Sequence, residues 1–260
     1  MHKRFVWASA MVAMFCHASA QAGVSDGPHR EQADVYATDS GQLLYREMHL
    51  VMPGPDAERW VLYRCTDGQA FARKHVRTRE GPQVPNFAFE DGRNGFHEGV
   101  RGASNKRTVY LREAGGAETA RTLLVPANGV IDAGFDEAVR TNWDVLMRGD
   151  AVRMQFLVPS RMRFYPVRVQ HLGSLDWNGQ RAERLRMRLD LWFGFAVPEV
   201  NLVYAHDERR LLEFAGTGNV RDRRGRNPQV RIAFERAPQA ASLEEAQALQ
   251  RLPLSGRCNF

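Results

Sequence analysis

Arg181-Ala182-Glu183-Arg184-Leu185-Arg186-Met187-Arg188-Leu189-Asp190-Leu191-Trp192-Phe193 is the stretch whose reading decides the fold. Leu185, Met187, Leu189, Leu191 and Phe193 fall on one face. Arg184, Arg186, Arg188 and Asp190 fall on the other. Successive side chains of a strand point to opposite sides, so this alternation predicts a β-strand with one buried and one wet face. Residues 151–159 repeat the pattern, with Val152, Met154, Phe156 and Val158 against Arg153 and Gln155. Residues 161–171, 200–204, 210–214 and 229–234 read as further strands, with turns at Asp207-Glu208 and Arg224-Gly225.

The first half continues the series. Residues 43–51, 59–65, 70–76, 86–90, 95–100 and 106–113 are short runs of apolar, β-branched or aromatic residues. Pro53-Gly54-Pro55, Asp67-Gly68, Asp91-Gly92 and Gly102-Ala103-Ser104-Asn105 separate them, which is turn chemistry. Asp67-Gly68 is a strong hairpin signal. Residues 23–30 read as a loose leader, with strand character from Val35.

Two helices interrupt the strands. Residues 131–148 set Phe135, Val139, Trp143, Leu146 and Met147 at helical spacing, with Asp132 as the expected cap and Gly149 as the stop. Residues 242–249 form a short C-terminal helix, with Ser242 capping and Glu245 at the capping-box position. The fold class that follows is mostly β: a single curved antiparallel sheet, one amphipathic helix packed across it, and a short C-terminal helix.

The N-terminus gives an address. Lys3 and Arg4 precede an apolar or small run over 5–16, and Ala18-Ser19-Ala20 and Ala20-Gln21-Ala22 both fit a small-x-small cleavage site. Residues 1–22 therefore read as a secretory signal peptide. The run is shorter than the roughly 20 residues of a membrane span. The expected organisation is a signal peptide over 1–22 and one β-rich domain over 23–260, in the periplasm, with no stable membrane span after cleavage. Cys16 lies in the signal, and Phe15 before it is too large for a lipoprotein processing box. Cys65 and Cys258 remain, and an even pair in an oxidising compartment suggests a disulfide. Two unpaired thiols are the alternative.

The full chain of 260 residues carries a formal charge of +6 and is 43% apolar, enough to bury a core. Arginine supplies nearly all the positive charge, and it is interleaved with Asp and Glu. That pattern and the secreted address exclude nucleic acid as the expected partner.

Catalytic motifs are missing from the sequence. His29, His49, His75, His97, His171 and His206 show no metal-ligand spacing, and there is no HExxH, CxxC, GxSxG or phosphate loop. His97 and Glu98 are adjacent, and in a strand they point to opposite faces. Gly102-Ala103-Ser104-Asn105-Lys106 reads as a hairpin turn. Asp176, Asp190 and Glu199 read as residues of solvated strand faces. No cofactor, metal or catalytic residue is expected, and a secreted hydrolase ranks last among the readings.

The large apolar side chains are the candidates that remain. Phe135, Trp143, Met154, Phe156, Phe164, Met187, Leu189 and Leu191 either form the core under the helix or line an incompletely filled concave face. Such a face takes a hydrophobic ligand.

Several stretches carry a resemblance. Tyr204-Ala205-His206-Asp207-Glu208-Arg209-Arg210-Leu211-Leu212-Glu213-Phe214, within 202–234, is similar to the hairpin of the LolA/LolB-like periplasmic half-barrels. Gly134-Phe135 to Asn142-Trp143, followed by Phe156-Leu157-Val158-Pro159, resembles a group of proteobacterial secreted proteins of unknown function. The resemblance implies a half-barrel and a soluble carrier of a lipid or lipoprotein acyl chain. The alternative is a non-catalytic envelope scaffold, in which the outer face of Arg184, Arg186 and Arg188 meets an acidic envelope protein.

Overall fold

The computed structural model describes residues 27–190, 199–254, 257, 258 and 260. The signal-peptide reading, Leu191 and the end of the strand expected through Phe193 lie outside the described residues. Eight strands come first: β1 (His29–Ala37), β2 (Leu43–Met52), β3 (Glu58–Arg64), β4 (Ala70–Arg77), β5 (Asn86–Asp91), β6 (Phe96–Arg101), β7 (Lys106–Arg112) and β8 (Glu118–Leu124). β9 (Gly129–Val130) leads into α1 (Gly134–Thr141) and α2 (Trp143–Met147). β10 (Val152–Val158), β11 (Arg163–Trp177), β12 (Gln180–Leu189), β13 (Val200–Ala205), β14 (Leu211–Thr217), β15 (Gln229–Ala233) and β16 (Gln239–Ala240) follow, then α3 (Leu243–Arg251).

All sixteen described strands belong to one curved, unclosed sheet in the order β8-β7-β6-β5-β4-β3-β2-β1-β15-β14-β13-β12-β11-β10-β9, with β16 on β1. Every pairing is antiparallel except that of β9 with β10. Tight turns make such a meander economical. Between β3 and β4 the Gly68 N–H donates to the Cys65 carbonyl, the Asp67 carboxylate accepts from the Gln69 N–H, and Gly68 takes φ +91. That left-handed backbone is open to glycine at no steric cost.

The sheet's two ends meet by packing. Leu157 and Phe164, directly opposite on β10 and β11, join a cluster with Val76, Phe87, Val100 and Val109 of β4 to β7. Arg107 anchors the same region. It is 0% exposed, and its guanidinium donates to the carbonyls of Glu80, Val84, Ser104 and Lys106.

The helical segment differs from a single run over 131–148. It is two short helices broken at Asn142, which sits at φ −100 and ψ 15. The Asn142 side-chain amide donates to the Ala138 carbonyl at 2.8 Å, competing with the helical ladder. Asp132 does not cap α1. It adopts φ 47, and its carboxylate is drawn to Lys74 at 2.5 Å, leaving Ala133 as the N-cap with no side-chain bond. Gly149 follows α2 at φ +90 and donates to the Leu146 carbonyl, a glycine stop.

Two further expectations are corrected. The leader reading of 23–30 gives way to strand from His29, because β1 pairs with β2 from that residue onward. The stretch after Glu113 holds two strands, β8 and β9, that the pattern does not announce.

α3 packs on the outer face. Its Ala246 and Leu249 meet Leu50, Leu62 and Ala70, and Ser242 and Glu245 form the expected capping box. Arg73 donates to the Leu249 and Gln250 carbonyls at the helix C-terminus, where a cation opposes the helix dipole. Beyond α3 the chain turns inward. Cys258 is disulfide-bonded to Cys65 across 193 residues, with Cα atoms 5.5 Å apart. Phe260 packs on Tyr45 and Phe71 in the aromatic cluster of β2 to β6.

Candidate functional site

The inner face of β10 to β13 is built by the alternation that identified those strands. Leu185 faces Leu202, Met187 faces Val169 and Val200, and Val167 faces both Met154 and Leu189. α1 and α2 lie on this face. Phe135, Ala138, Val139, Trp143 and Leu146 are buried against Met154, Val167, Val169, Leu185, Leu202 and Tyr204. Gly134 approaches the Gln83 backbone so closely that no Cβ fits, which seats the start of α1.

The structure brings six of the eight apolar candidates together. Phe135, Trp143 and Met154 are buried in this cluster, and Phe156, Met187 and Leu189 are partly buried on it. Phe135 and Phe156 meet edge to face at 6.2 Å. Phe164 belongs to the neighbouring cluster at the sheet's meeting ends. Leu191 lies outside the described residues.

α1 also bridges the two arms of the sheet. The Tyr204 hydroxyl on β13 donates to the Asp136 carboxylate at 2.8 Å, and Arg59 on β3 lies 3.6 Å from the same carboxylate. Burial, then the Asp136 charge beside it, pushes the Tyr204 phenol well above its usual range.

The inner face of β2 to β7 carries charge. His49, Val61, Lys74, Phe89, Glu98 and Leu111 are cross-strand neighbours in one row. His49 Nε2 meets Glu47 at 2.8 Å. Glu98 makes no hydrogen bond or ion pair among the described residues. Burial pushes its carboxyl up to about 7, with Lys74 pulling it down and Asp132 pushing it further up. His97 and Glu98 do point to opposite faces, since Glu98 pairs across to Phe89 and His97 to Glu90.

A second polar centre escapes the sequence. Glu183 has a fully buried side chain that accepts from His171 Nε2, Ser174 Oγ and His206 Nδ1, each at 2.7 Å, and from Arg181 Nε at 2.9 Å. Burial alone would raise its carboxyl; the bonds from Ser174, His171 and His206 and the Arg181 charge outweigh it and hold it below the usual range. Ser174 donates to the carboxylate, not to an imidazole, so the connectivity is a lock on one anion and lacks a Ser–His pair. A β-bulge between His171 and Gly173 sets this register, and that is why spacing in the sequence does not reveal it. Among the described residues, no group of three or more His, Cys, Asp or Glu is placed to hold a metal ion.

The outer face of β10 to β12 is arginine-rich. Arg168 stands directly between Arg153 and Arg188, and like charges in register repel. Asp190 bridges Arg153 and Arg168, at 2.8 and 3.6 Å. Glu199 bridges Arg186 and Arg188, at 3.4 and 3.7 Å. Asp176 instead accepts the Gly179 N–H in a turn.

No family model and no curated protein matches this chain. Among solved structures it is similar to a β-barrel-like protein of the domain of unknown function DUF1849 from Brucella abortus. Identity is 10%, the match covers 83% of this chain and 98% of that one, and the TM-score is 0.46. No described helix is long and apolar enough to cross a membrane.

Proposed function

We propose that the protein is a soluble periplasmic carrier of a hydrophobic ligand, a lipid or lipoprotein acyl chain. In this reading it is exported by residues 1–22, folded as one domain over 23–260, and akin to the LolA/LolB-like half-barrels. The observation that supports the reading is the layer beneath α1 and α2. The buried patch continues outward into Met147, Val152, Phe156, Met187, Leu189 and Val200, which are only partly covered. In this reading α1 and α2, joined at the break at Asn142, act as the lid over that apolar face. Reversible burial of acyl surface there is a non-catalytic activity.

The test is native mass spectrometry of the mature protein purified from a periplasm, with lipid extraction. A lipid that is released on mild denaturation and is missing from Met187→Arg supports the carrier. A bare chain refutes it, and lipid retained by folded Met187→Arg refutes the layer beneath α1 and α2 as the site.

The outer arginine face favours a second reading, an envelope scaffold. Arg184 stands exposed on that strand with no hydrogen bond or ion pair among the described residues, and an acidic protein would supply its partner. Reversing Arg184 and Arg186 to Glu should then break partner capture and leave lipid content unchanged.

A further inference from the structure

β8 ends the sheet on one side and is hydrogen-bonded to β7 alone. Between β8 and the tip of the β10–β11 hairpin lies a groove of about 400 Å³. Its apolar walls include Leu123, Leu124, Met162 and Phe164. Leu124 is 65% exposed, one of the most exposed large apolar side chains described. Leu123 stands opposite Arg107 and Arg121 opposite Val109, both deeply buried, so this side of β8 turns toward the concave face.

The polar part of the lining is one-signed in charge. Arg121 and Arg163 both line the groove, and no Asp or Glu does. Neither arginine has an ion-pair partner among the described residues; the Arg163 guanidinium lies 5.6 Å over the Tyr165 ring. Nearby Arg101, by contrast, is paired with Glu118 at 2.7 Å. Two uncompensated guanidiniums beside an apolar trough complement an anion with a hydrocarbon tail, and guanidinium matches a carboxylate in bidentate geometry.

We propose that this seam binds a long-chain fatty acid, its carboxylate between Arg121 and Arg163 and its chain along Leu123, Leu124, Met162 and Phe164. The volume lies near the lower end of the roughly 300–1,000 Å³ of small-molecule sites, which suits one acyl chain better than two. The inference rests on the carrier reading for its ligand class and adds a site apart from the layer beneath α1 and α2.

The test uses the mature full-length protein and cis-parinaric acid, a fluorescent fatty acid, displaced by unlabelled competitors. Dodecanoate should compete at least tenfold better than dodecanol, and Arg121→Gln/Arg163→Gln should erase that preference. Both arginines are exposed, so the variant should keep the wild-type melting curve. Lengthening the saturated acid should tighten binding by about fourfold per methylene until the groove is full. Equal competition by acid and alcohol overturns the proposal. So does binding lost in Met187→Arg but untouched in the double arginine variant, a result that leaves the carrier reading standing. No probe binding at all removes both, as does competition by extended peptides but not by dodecanoate, which would assign β8 to strand addition.

Discussion

Glu98→Gln should stabilise the protein at pH 8 and do little at pH 4.5. Glu98 sits on the inner face of β6 between Phe89 and Leu111, and burial lifts its carboxyl from 4.5 to about 7. Because the folded value is above the unfolded one, the folded state holds the proton more tightly. The stability linked to the neutral form is complete below about 4.5 and lost as pH rises toward 7. At about 1.4 kcal/mol per pH unit, that gap amounts to about 3 kcal/mol once the group is ionised. Glutamine keeps the shape and never ionises. Urea unfolding of the oxidised protein at pH 4.5 and pH 8 measures the difference directly. The expected result is equal midpoints at pH 4.5 and a higher midpoint for the variant at pH 8, with unchanged slopes. A variant advantage of the same size at both pH values, or a loss at pH 8, would refute the reasoning.

Three other perturbations test the framework. Glu183→Ala strands His171, Ser174, His206 and Arg181, and should cost about 3 kcal/mol at pH 7 in thermal or urea unfolding. Since the folded Glu183 carboxyl lies below its usual range, its contribution is present above roughly pH 4.3 and fades as pH falls through the folded value; the variant should lack that part of the acid limb. Cys258→Ser opens a closure of 193 residues, for which the chain-entropy model gives about 5 kcal/mol; a change under 1 kcal/mol in oxidised protein would count against it. Arg107→Met leaves four carbonyls without their donor and should cost about 3 kcal/mol or more, read from urea midpoints.

What is legible in the sequence is what a few neighbouring residues decide. The alternation of Leu185, Met187 and Leu189 against Arg184, Arg186 and Arg188 specifies β12 and its buried face, because the pleat repeats every two residues. Asp67-Gly68 specifies a hairpin, and Ser242 with Glu245 specifies a helix start, because both bond within their own turn. β8 escapes for a physical reason: six of its seven residues are exposed, so an edge strand wet on both sides needs no alternation. The break at Asn142 and the loss of Asp132 as a cap also escape, since an amide can serve or interrupt a ladder and Lys74 lies 58 residues away.

The candidate site divides the same way. The large apolar residues of the inner face are visible as a pattern, but the pattern does not say that α1 and α2 cover them or that Phe164 joins the other cluster. Glu183 reads as one carboxylate in a charged strand, and only the bulge beside His171 and the register with β13 bring two histidines, a serine and an arginine onto it. By itself the sequence determined most of the strands, the turns between them, which faces are apolar and the C-terminal helix. Tertiary structure alone decided the strand order, the open seam and the polar centres, because each depends on register and curvature summed over many strands, and no short window of residues carries that sum.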